Sequence, residues 1–244
     1  MLAQAAPLLA LPAALLALAS PIAWAEAPPA ASVADASAVL PGVAVDLDAR
    51  TVAIEATVIG QDAEWLELIA CVPRSREHEA LVVTDARPSH LHLALTMIGL
   101  EPGSPRTAER LGPGEWQVLP ARGPAVRIDV TSPGPDGPTT TPIDAWYTAA
   151  PLDDPTEATL QAAPPDTFLF TGSQTRTHEG TTHYLADLSG SVISLVHFGD
   201  DTVARLTSLT QDTDGQALRP TAAVPPNGTA VTLTLRPADG PAVD

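Results

Sequence analysis

The three side chains best suited to covalent chemistry are Cys71, His78 and Glu79, which lie close together along the chain. A thiol beside an imidazole can lose its proton at a low pKa and act as a nucleophile, while a carboxylate orients the ring. If residues 65–72 and 79–85 pair as a hairpin, Cys71 lies across from His78 or Glu79. In the alternative interpretation, Cys71 is a small buried hydrophobe and the other two residues bond to the backbone at a turn.

Arg76, His90 and His92 are the candidates for binding a ligand near this cluster. His90 and His92 do not form a ready metal pair, because side chains two positions apart on a helix diverge by about 200°. One of them could join His78 in a metal site. The single cysteine is too few for an iron–sulfur cluster or an intramolecular disulfide. We predict no bound metal ion and no other cofactor.

Two further patterns are similar to known sites but favour turns. His178-Glu179-x-x-x-His183 differs by one residue from the zinc protease motif H-E-x-x-H, and Gly180-Thr181-Thr182 is typical of a hairpin turn. Three acidic clusters are predicted to be solvated turns rather than calcium sites: Asp153-Asp154, Asp200-Asp201 and Asp212-x-Asp214-Gly215. The last cluster lacks the bidentate glutamate of a calcium loop, since its twelfth position is Ala223.

The charge balance limits the class of partner. The chain has 29 acidic and 12 basic residues, which gives a formal net charge of −17. This charge repels phosphate backbones and anionic lipid surfaces, so we predict no nucleic-acid partner. The 26 prolines disfavour helix interiors and central strands, and they predict short elements joined by many turns.

The first 25 residues are predicted to be a signal peptide. Leu8–Ala19 is an apolar run without charges, and Ala23-Trp24-Ala25 is a small-x-small cleavage sequence. We expect a disordered leader at 26–40, one globular domain at 41–237 and a tail at 238–244. No integral membrane segment is expected after cleavage. The protein is therefore predicted to be exported, and to be periplasmic or extracellular.

Apolar periodicity predicts strands in the first part of this domain. Alternation across Val43–Val58 indicates a hairpin that turns near Asp48-Ala49-Arg50. Trp65–Val72 is apolar apart from Glu67, which is typical of a central strand. Leu81–Val83 predicts a further short strand.

One helix is predicted, from Pro88 to about Gly99. Pro88 suits the first helical position, where a missing N–H does no harm. Leu91, Leu95 and Ile98 form an apolar stripe at helical spacing. Gly99 is placed to take the left-handed conformation, which lets the next residue, Leu100, fold back towards Leu95.

Short strands make up most of the rest of the chain, with loops predicted at 101–125 and 148–166. The predicted strands are Val126–Val130, Ile143–Tyr147, Phe168–Phe170, His183–Leu188, Ser191–Phe198 and Ala230–Leu235. These elements predict an α+β, β-rich fold. We expect a largely antiparallel sheet or sandwich of about nine or ten strands, with one principal helix at about residues 88–99.

Several short motifs occur between Cys71 and Pro102. They are His78-Glu79-Ala80-Leu81, Pro88-Ser89 followed by His92, Ala94 and Leu95, and Gly99-Leu100. By these motifs the sequence resembles the YdjY-type domain found in many exported proteins of planctomycetes. The likeness continues through Phe170–Ser173, Tyr184–Asp187 and Val192–Leu195. The resemblance implies no established activity, and a ferredoxin-like label attached to the family does not carry over to a chain with one cysteine.

Two hypotheses for the function follow. In the first, which we favour, the protein is a non-catalytic envelope or periplasmic module that binds a protein partner or a small ligand on its β scaffold. In the second, it is an enzyme that uses Cys71 with His78 and Glu79, or a metal ion held by His78 and a helix histidine. The sequence contains no complete catalytic constellation, which favours the first. The hypotheses differ in whether these side chains converge on one open pocket.

Overall fold

A computed structural model describes residues 40–151, 161–162, 167–206 and 216–238. The predicted signal peptide lies outside the described residues, as do almost all of the leader and tail and the acidic clusters at 153–154 and 212–215. Among the described residues, no helix has the length and the apolar character that crossing a bilayer requires.

The described residues form two α-helices, two short 3₁₀ helices and a series of short strands. The helices are α1 (Pro88–Met97) and α2 (Leu185–Ser189), and the 3₁₀ helices are η1 (Glu77–Glu79) and η2 (Ile143–Trp146). The strands are β1 (Val43–Asp46), β2 (Thr51–Val58), β3 (Leu68–Cys71), β4 (Ala80–Val83), β5 (Thr107–Gly112), β6 (Glu115–Leu119), β7 (Ala125–Ser132), β8 (Thr139–Pro142), β9 (Tyr147–Pro151), β10 (Gln161–Ala162), β11 (Phe168–Phe170), β12 (Thr175–His178), β13 (Thr181–Tyr184), β14 (Ser191–Ser194), β15 (Val203–Arg205), β16 (Gln216–Pro220) and β17 (Ala230–Pro237).

Eight of the strands close into a barrel. Around the barrel they follow the order β2, β17, β7, β11, β15, β14, β3 and β4, and the pairing of β4 with β2 completes the ring. The β14–β15 and β3–β4 pairs are parallel, and the other pairs of the ring are antiparallel. β1 extends the edge of β2, and β8 extends the edge of β7.

Alternating side chains fill the barrel, as expected for a small closed barrel. In β2, Val52, Ile54, Ala56 and Val58 are buried, while the alternate residues Ala53, Glu55 and Thr57 are more exposed. Leu233 and Leu235 of β17 are buried in the same way. The predicted alternation in these strands is therefore confirmed, and it sets which face of each strand belongs to the core.

The β-rich character is confirmed, but the sheet is a closed mixed barrel rather than simply a sandwich. Closure depends on β2, which pairs with two different strands along one of its edges. β2 pairs with β1 through Thr51–Ile54 and with β4 through Thr57 and Val58. A local hydrophobic pattern shows that β1 and β2 form a hairpin, but it carries no information about this second, distant partner.

The hypothesis that residues 65–72 and 79–85 form a hairpin is wrong, because β3 and β4 run parallel. Cys71 lies opposite Val83, at the other end of β4 from His78 and Glu79. Parallel strands normally need a crossover of a dozen or more residues. Here the chain returns through the short segment 72–79, using a left-handed backbone at Arg74, where φ is 61°, and the 3₁₀ helix η1.

Several other segments differ from their predicted structures. The predicted loop at 148–166 contains most of β9 and all of β10, which pair with each other, and the predicted strand Ser191–Phe198 ends at Ser194. Residues 101–125, predicted as a loop, contain the β5–β6 hairpin. Most of the predicted strand at Ile143–Tyr147 is the 3₁₀ helix η2. The predicted strand His183–Leu188 ends at Tyr184 and continues as α2. In the last two cases a short helix presents apolar residues at a spacing that also suits a strand.

Helix α1 begins and ends as predicted. Pro88 occupies the start of the helix, after the N-cap residue Arg87. At the other end, Gly99 takes a φ of 86° and donates to the Thr96 carbonyl, while Leu100 N–H donates to the Leu95 carbonyl. These are the two hydrogen bonds of a Schellman motif, and they bury the apolar pair Leu95 and Leu100. The helix packs against β1, β2 and β14.

We predict that Gly99→Ala destabilises the domain by about 1 kcal/mol, because a Cβ is unfavourable in the left-handed region. The matched control is Gly112→Ala. Gly112 lacks a left-handed φ, and a Cβ there would meet only the Glu115 carboxylate at 3.7 Å. Chemical denaturation should show a loss for Gly99→Ala and none for Gly112→Ala. Equal free energies of unfolding for the two variants would contradict this account of the helix end.

Candidate functional site

A buried ionic network lies beside the β3–β4 connection. Arg76 Nε donates to Glu79 Oε1, and Arg76 Nη2 donates to Glu67 Oε2 at 3.1 Å. The guanidinium carbon lies 3.6 Å from the centroid of the Phe198 ring. Both carboxylates are buried, at 4% and 5% exposure, so Arg76 provides the charge that compensates them. Arg76, a candidate ligand-binding residue, is thus committed to two internal partners.

The network contains two carboxyl groups and one guanidinium, so full ionisation would leave an excess negative charge in the interior. Burial, together with the adjoining Glu79 carboxyl, raises the pKa of Glu67 to about 7, and Arg76 opposes the shift. A carboxyl group with a raised pKa can serve in acid–base chemistry, but it can equally be part of a structural ion network. The near-complete burial of Glu67 and Glu79 favours the structural role.

Cys71 is fully buried and has surroundings that disfavour a thiolate. Its hydrogen-bonding partners are the Ser75 side chain and the Arg76 backbone, and it packs with Leu68 and Ala80. Loss of solvation raises the pKa of the Cys71 thiol, and the negative charges of Glu77 and Glu79 raise it further. An activated cysteine requires an electropositive, accessible environment, which this position does not provide.

The His78 imidazole is exposed to solvent and is not a partner of the Cys71 thiol. Its side chain is 74% exposed, and its Nε2 lies 3.7 Å from Glu79 Oε2. The partners of the Cys71 thiol do not include the His78 imidazole. Glu79 therefore lies close to Cys71 as a negative charge that disfavours the thiolate. His78 is not positioned to act as a base for the thiol.

The two helix histidines occupy different environments. His92 Nδ1 lies 3.1 Å from the Tyr184 hydroxyl, which lies 3.0 Å from Thr202 Oγ1. The His92 ring also meets Phe170 edge-on. Burial lowers the pKa of His92 and raises that of Tyr184. His90 does not share these partners, and the described residues contain no group of three or more His, Cys, Asp or Glu side chains arranged to hold a metal ion.

Two aspartates in this region stabilise backbone turns. Asp187 of α2 accepts from the Ser89 backbone at 2.8 Å and from the Ser89 hydroxyl at 2.6 Å, so it caps the first turn of α1. Asp201 accepts from the backbone N–H groups of Phe198 and Gly199. Asp201 is fully buried, which raises its pKa. The prediction that the Asp200-Asp201 pair is a solvated turn is therefore wrong for Asp201.

The segment His178-Glu179-x-x-x-His183 forms the predicted hairpin. β12 and β13 pair antiparallel, and the two turn residues, Glu179 and Gly180, have φ values of 49° and 78°. Positive φ at both central residues defines a type I′ turn, the connection that suits the twist of a two-residue hairpin. Because β12 and β13 are strands, this segment has no helical face on which both histidines could bind zinc.

A cleft of about 730 Å³ lies on the outer face of the barrel, and we call it the outer cleft. Its floor is formed by three neighbouring strands, through Glu55–Thr57 of β2, Ala230–Thr232 of β17 and Thr131 of β7. Val83–Asp85 and the β7–β8 loop between Ser132 and Pro138 line its sides. This volume falls within the range of about 300 to 1,000 Å³ that is usual for small-molecule sites.

A scan against protein-family models matches residues 43–236 to the YdjY domain. The chain belongs to the YdjY domain family. Comparison with the curated proteins returns no match, and neither does comparison with the solved structures. The YdjY match covers the barrel strands as far as Arg236, together with α1 and α2.

Three of the motifs that resemble the YdjY family meet in space although they are far apart in the sequence. His92 of the helix motif contacts Tyr184, and Ser89 is capped by Asp187 from the same Tyr184–Asp187 motif. Ser173, from the third motif, accepts a hydrogen bond from the Ala186 backbone. These contacts join α1, α2 and the segment after β11, so the three segments share a structural role.

Sequence reasoning missed the partners of the residues it singled out. Glu67 was visible as the lone charge in an apolar strand, which is a signal for a buried, paired carboxylate. Tyr184 and Asp187 stood out only as part of a motif that resembles the family, and Thr202 carried no signal, because the contacts of all three join distant segments. The outer cleft was missed for the same reason, since its floor combines three strands from separate parts of the chain.

We predict that Glu67 makes the YdjY domain less stable as the pH rises. The pKa of Glu67 is raised from an ordinary value of 4.5 to about 7. Between these values the unfolded chain has released the proton while the folded chain retains it, so the free energy of unfolding falls through this window and levels off above it. The total loss is on the order of 3 kcal/mol, from about 1.4 kcal/mol for each pH unit.

Glu67→Gln removes this titration and keeps the shape of the side chain. Urea denaturation at several pH values between 5 and 8 should show the stability of the variant, relative to the natural chain, increasing with pH. The control is Glu64→Gln, an exposed carboxylate three residues away, which should leave the pH profile unchanged. A stability difference between Glu67→Gln and the natural chain that stays constant with pH would contradict the raised pKa.

The burial of Cys71 predicts slow alkylation of the folded protein. Iodoacetamide should react with the folded chain on the order of a hundredfold more slowly than with the denatured chain, because the thiol must first be exposed by opening of the structure. The comparison is a Cys71→Ala, Thr181→Cys variant, which carries its thiol at an exposed position. Reaction of native Cys71 as fast as this exposed thiol would indicate an accessible nucleophile and revive the enzyme hypothesis.

Proposed function

We propose that this protein is an exported, non-catalytic binding module of the cell envelope, and that it holds a small ligand in the outer cleft. The observation that carries this proposal is the cleft itself, whose volume of about 730 Å³ suits a small molecule. Its floor consists of paired barrel strands, so the lining groups have a rigid support.

The mixed lining, which is mostly apolar with a few hydroxyl groups, supports ligand binding. Thr57, Ser132 and Thr232 present hydroxyl groups that can both donate and accept hydrogen bonds, and the Thr131 hydroxyl is already bonded to that of Thr140 at 2.8 Å. Pro133 and Pro138 contribute rigid apolar surface at the side. A few directed polar groups with apolar walls are the usual composition of a small-molecule site.

The groups considered for catalysis support the same proposal by their positions. Cys71 is buried with a raised pKa, and His78 is exposed without facing the thiol. Arg76 is engaged by two carboxylates. Nucleophilic catalysis needs a nucleophile and a base within hydrogen-bonding reach of one another and of a substrate. The geometry of these residues favours the binding module over the enzyme.

Export is supported by the sequence of the first 25 residues. Leu8–Ala19 and the cleavage sequence Ala23-Trp24-Ala25 have the features of a signal peptide. In this proposal the mature chain begins near Glu26 and reaches the periplasm or the exterior. The cleft would then be exposed to the small molecules present in the cell envelope and could bind one of them.

Native mass spectrometry of the chain produced in its own organism tests this function. We expect one small-molecule adduct on the natural chain and none on Thr232→Trp, whose indole would occupy the floor of the cleft. Thr234→Trp is the matched control, because Thr234 lies two residues along the same strand and face but does not line the cleft. No adduct on the natural chain, or equal adducts on both variants, would count against the proposal.

A further inference from the structure

We propose that the outer cleft recognises an organic cation, a small molecule that carries a primary ammonium or a guanidinium group. This inference rests on the proposed function, which places a ligand in the cleft. It adds the chemical class of that ligand, and it follows from the charges, the hydroxyl groups and the size of the site.

Glu55 and Asp85 are the charged residues that line the cleft, and both side chains are exposed. Within the described part of the chain, neither carboxylate forms an ion pair. Asp129, which projects from the neighbouring strand outside the cleft, is paired with Arg236 at 3.1 Å. The carboxylates of the cleft are therefore available to a positively charged ligand, whereas the adjacent one is already compensated.

A hydrogen bond holds the segment that contains Asp85 against the strand that contains Glu55. The buried hydroxyl of Thr84 donates to the Glu55 backbone carbonyl at 2.6 Å, and it accepts from the Ala86 N–H at 3.1 Å. This anchors the segment that contains Asp85 against β2 at Glu55. The position of Asp85 is thus fixed by the fold, which lowers the entropic cost of recognising a cation there.

A row of hydroxyl groups extends across the floor from Glu55. Thr232 of β17 lies opposite Glu55, and Thr131 of β7 lies opposite Thr232. Side chains directly opposite each other in antiparallel strands are about 5 Å apart. A ligand bound by its cationic group at Glu55 would therefore pass over hydroxyl groups suited to polar atoms in the rest of its structure.

The same lining disfavours other classes of ligand. Among the described residues no arginine or histidine lines the cleft, and the sequence contains no lysine, so an anion would meet two carboxylates without a compensating charge from this part of the chain. Ca²⁺ takes about six to eight oxygen ligands, and Zn²⁺ takes about four ligands from His, Cys, Asp or Glu side chains. No group of three or more potential ligands occurs among the described residues. The volume of about 730 Å³ also greatly exceeds the space that a single ion requires.

Amide NMR titrations of the full chain at pH 6 test this inference. The cationic probes are spermidine and D-glucosamine, and the neutral probe is D-glucose, which has an uncharged hydroxyl in place of the amine. We expect the cationic probes to shift the amides of Thr57, Thr84 and Thr232, and D-glucose to leave them unchanged. Added salt should weaken the effect, because exposed charges are screened.

Charge-removing variants identify the groups responsible. Glu55→Gln and Asp85→Asn should each weaken binding of the cationic probes on the order of tenfold, which is the usual contribution of a hydrogen bond to a charged group. Asp62→Asn is the control, because it removes an exposed negative charge outside the cleft. An equal loss of binding in Asp62→Asn would show general attraction to an acidic protein and would overturn the inference.

The remaining outcomes separate this inference from the proposed function. Cleft shifts with D-glucose as large as those with D-glucosamine would overturn cation recognition while supporting a ligand site. Cleft shifts that persist in Glu55→Gln and Asp85→Asn would do the same. Failure of every probe to shift the cleft amides would overturn the inference, and the adduct comparison between Thr232→Trp and Thr234→Trp would still decide the proposed function.

Discussion

The architecture depends on the closure of the barrel, where β4 pairs with β3 on one side and β2 on the other. Thr84, the residue after β4, completes this junction: its N–H donates to the Cys71 carbonyl of β3 and its hydroxyl to the Glu55 carbonyl of β2. Without this junction the strands would form an open sheet with exposed edges. The short parallel return from β3 to β4 makes the closure possible, and Arg76 connects that return to Glu67 and Glu79.

The same junction shapes the outer cleft. β1 pairs with β2 only as far as Ile54, and β4 begins to pair at Thr57, so the β2 edge between them is bridged by the Thr84 side chain. This interruption lets the chain leave the barrel towards α1, and both Glu55 and Asp85 line the resulting cleft. The cleft therefore arises from how the barrel closes, and a change that loosened the closure would also alter the site.

Features encoded over a few residues were predictable from the sequence. The end of α1 followed from Gly99 and Leu100, and the β1–β2 hairpin followed from apolar alternation, because both depend on local backbone preferences. The parallel pairing of β3 with β4 was not predictable, since a continuous apolar strand suits either direction. Cys71 and His78 consequently seemed to be neighbours, whereas register places Val83 opposite the thiol.

The ionisable residues divide into those whose interactions are used by the fold and those that remain available. Glu67 and Glu79 share Arg76, and Asp201 is bonded to backbone N–H groups, so their interactions stabilise the native structure. Recruiting them for binding would first break these contacts and leave a buried charge uncompensated, at a cost of about 3 to 5 kcal/mol. Glu55 and Asp85 carry no such cost, because they are exposed and unpaired within the described residues. The distribution of charge thus favours recognition at the outer cleft over chemistry in the interior.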